Sequence, residues 1–382
     1  MATKTYFGIN LGTKNTYLAV LDKGSPTPKL LKKFPSEVVV TNQIDKNDIN
    51  PKDYFSGFLR LIGRNFDDPI VQKEMNKVPY KIVKGPNGDA WVETSYGKQC
   101  SPVKLLEKFL IKIKGVAESY VGGTSISGCV VITFPCRVLG IQLETITDAL
   151  GNVGIKKGSF VHEFAAAAAS YGVINRNGLS VIVDLGSRTL DVTLFQVSFG
   201  VRRSFKVRGS PKRDMNLGGN DFDDVVLKYL VKEFKIKEGI DLAEDGRLRK
   251  AAEEAKIALS TSLQTEINLA NIITDLSGGS KDLNVTLTRE KFESLVTDLT
   301  EKIKNHCEKC LNKAGLRARD VDEVLLVGGM GSVAIVRRVV SEVFGKDPNR
   351  GLNSEEVVAL GAAMSVEAGC LGIHSDCLDD YP

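Results

Sequence analysis

No apolar run in this chain approaches the roughly 18 residues that a membrane-crossing helix requires, so insertion into a bilayer is not expected. Charge of one sign is missing as well. The 51 Lys and Arg residues are interspersed with 47 Asp and Glu, for a net charge of +4, which leaves no basic footprint for nucleic acid. An even, closely spaced cysteine framework is absent: the seven cysteines, at 100, 129, 136, 307, 310, 370 and 377, fit a reduced compartment. Cys307 and Cys310 make a lone C-x-x-C with no second pair to complete a zinc site, and His306 precedes the pair where haem attachment requires it to follow. Both lie on the apolar stripe Phe292, Leu295, Val296, Leu299, Ile303, Leu311, so core packing is the expectation for them. The first apolar strand starts within a few residues of Met1, leaving no room for a signal or transit peptide in the chain as given. This implies a protein that acts where it is made, or a processed form with a replacement start.

What is present is enough apolar material for two cores: 382 residues, 42% hydrophobic and 26% charged. The pattern that organises it is Gly8-Ile9-Asn10-Leu11-Gly12-Thr13-Lys14-Asn15-Thr16-Tyr17-Leu18-Ala19-Val20, two apolar strands joined at a short polar turn. Gly12 lets backbone N–H groups approach an anion and Thr13 adds a hydroxyl, a tip of phosphate size. The same pattern returns at Val181-Ile182-Val183-Asp184-Leu185-Gly186-Ser187-Arg188-Thr189-Leu190-Asp191, with Asp184-Leu185-Gly186 matching Asn10-Leu11-Gly12. The copy is far more distant than the roughly 20 to 50 residues of a solenoid period, so it marks a duplicated domain. Two lobes are therefore expected to face each other, with one tip from each gripping a polyphosphate. A third glycine turn, Val327-Gly328-Gly329-Met330-Gly331, follows a buried-looking strand and is expected to open a helix whose N-terminus holds ligand.

Along the chain, Lys29 to Val40 reads as a strand, Asn42 to Asp53 as a polar loop, residues 54–64 as a helix, and Ile82 to Thr94 as a hairpin turning at Pro86-Asn87-Gly88-Asp89. Residues 40–99 then form an inserted subdomain. Ser101-Pro102 caps a helix through Ala117, and Ile141 to Leu150 is a second one. Glu163 stands before the run Ala165 to Ala169, whose small side chains allow close helix packing; spacing favours a charge cap for Glu163 over a ligand-site acid. Leu217-Gly218-Gly219-Asn220 is a glycine turn with Asn220 as helix cap, and Arg247 to Thr261 is a charged helix. Strands at 264–273 and 283–287, one helix from Thr288 to Ala314 closed by Gly315, a strand at 323–327, and helices at 333–344 and 354–368 complete the chain before a loose acidic tail.

These motifs, with Leu61-Ile62-Gly63-Arg64-Asn65-Phe66-Asp67-Asp68-Pro69, Asn87 to Glu93, Leu217 to Asp223, Leu263 to Leu269 and Val324 to Met330, give the chain a resemblance along nearly its whole length. It resembles the nucleotide-binding domain of the seventy-kilodalton heat-shock chaperones, most closely their mitochondrial and bacterial branch. The resemblance implies an α/β, actin-like fold of two duplicated lobes around a nucleotide cleft: residues 1–177 with an insert at about 40–99, and residues 178–372 with an insert at about 212–291, then a tail at 373–382. It implies ATP or ADP as ligand, with Mg2+ held in part by Asp184. The positions that match the family's ligand set are Gly12, Thr13, Glu163, Asp184, Gly186, Thr189, Asp191, Gly218, Gly219, Glu253, Lys256, Ser260, Gly328, Gly329 and Met330. Thr189, Asp184, Asp191 and Glu163 would be the catalytic group.

Departures accompany the matches. Asn10 replaces the aspartate that holds the metal, and Leu59 replaces the lysine that aligns the attacking water, so Mg2+ binding and hydrolysis are expected to be weak. Ser187 and Arg188 break the second glycine run, Gly331-Ser332 replaces the arginine flanking adenine, and Arg137-Val138 replaces an aromatic pair that couples lobe to partner domain. Lys14 and Arg188 are extra cations at the two tips, suited to phosphate. No peptide-clamping domain follows, so a protein partner is expected, and not a peptide held by this chain. Three readings stand: a module that binds nucleotide with slow or no hydrolysis, a working ATPase in which Lys14 or Arg60 compensates, and a structural subunit with an empty cleft. The compartment is the mitochondrial matrix by resemblance, or the cytosol if Met1 is the native start.

Overall fold

A computed structural model describes residues 4–42, 50–135, 138, 140–199, 203–242, 246–274 and 279–366. The chain divides into two units: the first takes residues 1–177, 197–206 and 356–382, the second 178–196 and 207–355. Arg137, the acidic tail and most of the polar loop after Asn42 lie outside the described residues.

In the first unit, β1 (Tyr6–Leu11), β2 (Asn15–Leu21) and β3 (Lys29–Pro35) lead into β4 (Glu37–Val39) and β5 (Tyr54–Ser56). Helix α1 (Pro69–Glu74), the meander β6 (Lys81–Lys84), β7 (Ala90–Glu93) and β8 (Gln99–Cys100), and helix α2 (Pro102–Tyr120) follow. Strand β9 (Val130–Phe134), α3 (Gly140–Asn152), β10 (Ser159–His162) and α4 (Glu163–Ser170) end this stretch. The central sheet has the order β10-β9-β1-β2-β3. One face meets α2, where Leu105, Leu106, Phe109, Leu110, Ile113 and Ala117 join Ile9, Leu18, Val20 and Phe34 in one core. Ser101 caps α2 as its sequence indicates, its side chain accepting from Lys104 N, with Pro102 in the first turn.

The second unit begins with β11 (Gly178–Leu185) and takes all but residues 197–206 of β12 (Leu190–Phe199) and β13 (Arg203–Asp214), then α5 (Gly219–Glu238) and α6 (Gly246–Ala258). The long hairpin β14 (Gln264–Thr274) and β15 (Ser280–Thr288) precedes α7 (Arg289–Leu295), α8 (Thr297–Ala314), β16 (Glu323–Val327) and α9 (Ala334–Phe344). Its sheet has the order β13-β12-β11-β16, with β11 and β16 parallel and Asp184 opposite Val327. Cys307 and Cys310 are fully buried on α8, and the Cys310 thiol donates to Val192 O on β12 at 3.5 Å, so the C-x-x-C is core. Among the described residues no three His, Cys, Asp or Glu side chains gather as a metal cluster.

The last described helix, α10 (Val357–Met364), packs back onto α4, β1 and β2 of the first unit, although its place in the chain suggests the second. The alanine run makes this possible: a Cβ on Gly361 would lie 1.7 Å from Ala166 O, and one on Gly8 would lie 2.2 Å from Ala359 O. Ser170 Oγ adds a hydrogen bond to Val357 O at 2.6 Å.

Three local expectations fail for identifiable reasons. Residues 54–64 are not a helix: Gly57 is left-handed at φ 71°, so β5 ends there and a single 3-10 turn, Phe58–Leu61, follows. Thr288 to Ala314 is two helices broken at Val296, where Thr297 Oγ1 turns back to Ser294 O at 3.0 Å and Thr300 Oγ1 to Thr297 O at 2.8 Å. The strand from Lys29 is interrupted at Ser36, which turns inward.

Candidate functional site

The first tip is a turn between β1 and β2 in which Leu11 pairs with Thr16. Gly12 is required there, since a Cβ would stand 2.4 Å from Asn15 O. Ser36 braces the tip from behind: its Oγ donates to Gly12 O at 2.6 Å and lies 2.8 Å from Thr16 Oγ1, while its N–H donates to Lys14 O at 2.8 Å. Ser36 and Thr16 are both buried and carry no motif, so only the paired geometry reveals them. Thr13 is half-buried and Lys14 exposed at the turn.

Asn10, at the end of β1, accepts from Thr133 Oγ1 at 3.0 Å through Oδ1, which ties a neutral amide to β9. Leu59 is half-buried and packs on the core of the first unit. Its neighbour Arg60 is held in a buried ion pair: Nε lies 3.0 Å from Glu74 Oε1 in a pair whose side chains are 4% and 2% exposed. Arg60 is therefore committed to the insert. Glu163 is the first residue of α4, and its cap residue His162 makes no side-chain cap, so the Glu163 charge lies against the positive end of the helix.

In the second unit the repeated tip is tied to the glycine turn after β13. Gly186 N donates to Thr189 O at 2.9 Å, while Gly186 O and Ser187 O accept from Gly219 N and Asn220 N at 2.9 and 2.7 Å. The two loops press so closely that a Cβ on Gly218 would lie 2.4 Å from Arg188 N. Asn220 is not the cap. Helix α5 begins at Gly219, and Asp221 reaches back to accept from Gly218 N at 2.8 Å. No side chain fits at 218, so the cap is displaced onto Asp221.

Lys256 is buried against this turn, 2.7 Å from Asp223 Oδ1, and donates to Gly219 O at 3.3 Å. Glu253 stands one turn earlier on the same face of α6, half-buried; Ser260 follows the helix and its hydroxyl donates to Lys256 O at 3.4 Å. The third turn is a fitted cradle: Gly328 has φ +85°, and a Cβ there would lie 2.4 Å from Leu185 O and 2.7 Å from Asp184 Oδ1. Met330 is buried beside Gly219, and a Cβ on Gly329 would stand 3.2 Å from Glu355 Oε1. This turn does not run straight into a helix. A 3-10 turn, Gly329–Ser332, and Val333 come between it and α9.

Asp184 sits beside this cradle, and Asp191 is near enough to act on it. Burial pushes the Asp184 carboxyl up to about 7, the Asp191 carboxylate adds to the rise, and the Arg213 guanidinium opposes it. Arg213 Nε lies 3.7 Å from Asp191 Oδ2. The sequence pattern gives no sign of Arg213, which reaches the acids only through the neighbouring of β13 and β12.

Within each unit these features suit the phosphate of a nucleotide: glycine turns with no room for side chains, backbone N–H groups at the tips, and cations on the turns. The family model for Hsp70 protein matches residues 6–375. The chain belongs to the Hsp70 family. Its relatives include the mitochondrial heat shock 70 kDa proteins of Solanum tuberosum and Pisum sativum, each 46% identical over 374 residues, which is 94% of this chain and 54% of the relative. The chain thus spans about half the length of these Hsp70 relatives. Its mixed α/β architecture agrees with the Hsp70 actin-like ATPase fold. Among the described residues no helix is long and apolar enough to cross a membrane.

Proposed function

We propose that this Hsp70-family chain is a nucleotide-binding module that holds ATP or ADP and hydrolyses ATP slowly or not at all, serving other proteins as a regulatory or structural partner. One observation carries this reading: a neutral amide at Asn10, tied to Thr133, and an aliphatic side chain at Leu59 stand where the resemblance calls for an acid and a lysine. Phosphoryl transfer depends on positioning and charge stabilisation, so losing both groups costs several orders of magnitude in rate. The commitment of Arg60 to Glu74 counts against its use as a replacement cation. The names of the relatives support the mitochondrion as its compartment.

Single-turnover hydrolysis of bound ATP in Mg2+ tests this directly. The expected outcome is a bound nucleotide that stays intact while a full-length Hsp70 relative turns over; a rate equal to that of the relative overturns the reading. Asn10→Asp alone should recover little, and Asn10→Asp with Leu59→Lys substantially more.

A further inference from the structure

Three charged side chains gather at one end of the second unit's sheet. Asp184 is the penultimate residue of β11, Asp191 the second of β12 and Arg213 the penultimate of β13, on three neighbouring strands. The Arg213 Nε to Asp191 Oδ2 distance is 3.7 Å, the two side chains are 15% and 14% exposed, and both act electrostatically on Asp184. The same end of the sheet carries the turn Gly186–Thr189 and, directly after β13, the turn at Gly218.

Two carboxylates beside a phosphate-binding turn repel the anion that the turn is shaped for, unless a cation lies between them. Mg2+ is the usual solution, and it asks for near-octahedral oxygen ligands, most of them water or phosphate. Here a guanidinium already stands at the acids. It is permanently charged and weakly hydrated, and its planar shape matches the geometry of a phosphate as well as that of a carboxylate. A divalent cation entering the same place would meet that positive charge and an Asp191 carboxylate already facing it. The donor set does not fit a metal, and this is independent of the loss of charge at Asn10.

We propose that Arg213 is a resident counter-charge which takes the place of the divalent metal, so that this chain binds the polyphosphate of its nucleotide without Mg2+. The inference rests on the nucleotide-binding reading above and concerns what that site requires.

Calorimetric titration of ADP into the whole chain, once in EDTA and once in excess Mg2+, tests it, with Arg213→Gln and Arg213→Lys alongside. A charge-assisted contact to phosphate is worth about tenfold or more in affinity. The expected result is an ADP affinity that Mg2+ changes by less than about threefold in the unaltered chain and in Arg213→Lys. Arg213→Gln should lose about tenfold in EDTA and regain it with Mg2+. Titration with Mn2+ followed by its paramagnetic resonance, without nucleotide, should show binding in Arg213→Gln only. An unaltered chain whose ADP affinity rises tenfold or more with Mg2+ overturns the inference and leaves the nucleotide reading intact, a comparison that needs no variant to fold. An Arg213→Gln chain as indifferent to Mg2+ as the parent also overturns it. Absence of ADP binding under both conditions overturns the nucleotide reading and the inference with it.

Discussion

Gly361→Val is expected to leave the first unit without a cooperative unfolding transition, and Gly361→Ala to lower its stability by more than about 3 kcal/mol. A Cβ at this position meets backbone, with Ala166 O at 1.7 Å and Ala166 C at 2.4 Å, so no rotamer change relieves the overlap. Nor can α10 back away, because its opposite side lies on β1, where a Cβ on Gly8 would lie 2.2 Å from Ala359 O and 2.4 Å from Ala363 N. The helix is held between two surfaces of backbone. Against a total stability of about 5–15 kcal/mol for an ordinary domain, a misfit on this scale is decisive. Urea unfolding followed by circular dichroism measures it. Gly115→Ala in α2 is the control: nothing lies within 4 Å of its Cβ, and replacing a mid-helix glycine there should stabilise by up to about 1 kcal/mol.

Glu74→Ala is the second large effect. It leaves the Arg60 guanidinium, 5% exposed, without the carboxylate 3.0 Å away, and breaking a buried pair from one side costs about 3–5 kcal/mol. Replacing both members, as Arg60→Met with Glu74→Leu, should return most of that loss, since the desolvation cost of both charges disappears together. Urea midpoints of the two single variants and the double variant close the cycle. ADP affinity of the double variant should equal that of the parent, because the pair serves the insert and not the ligand. A fall of tenfold or more would show Arg60 in the ligand's service after all.

The elements that the sequence makes plain are those whose cause is local. The two hairpin tips announce themselves through alternating apolar residues that stop at glycine, and α2 through a serine followed by proline. The Gly88 turn, with φ +84°, and the Gly315 cap, with φ 65°, are equally local, since only a left-handed backbone is being requested. What pattern does not reveal is decided by a partner distant in the chain. Ser36 looks like any residue in a strand, and only its contact with Gly12 O explains why the strand breaks there. Asp221 displaces Asn220 as cap because the Ser187-Arg188 backbone presses on Gly218. Helix α10 follows the last strand of the second unit yet packs with the first, a consequence of how small Ala166 and Gly361 are together. Within the candidate site the glycines and acids were readable from their repeat. Arg213 and Asp223 were not, since each gains meaning from a strand or helix beside it rather than from its own neighbours in sequence.

The two thiols on α8 give this protein a clock. Burial raises the Cys307 thiol far above its ordinary range and the Cys310 thiol to about 11, and both are fully covered, so neither a thiolate nor a path for reagent exists while α8 lies on its sheet. Alkylation of Cys307 and Cys310 therefore counts openings of the second unit's core. Read by peptide mass against time, it reports how often that core comes apart under conditions where nearly every molecule is folded.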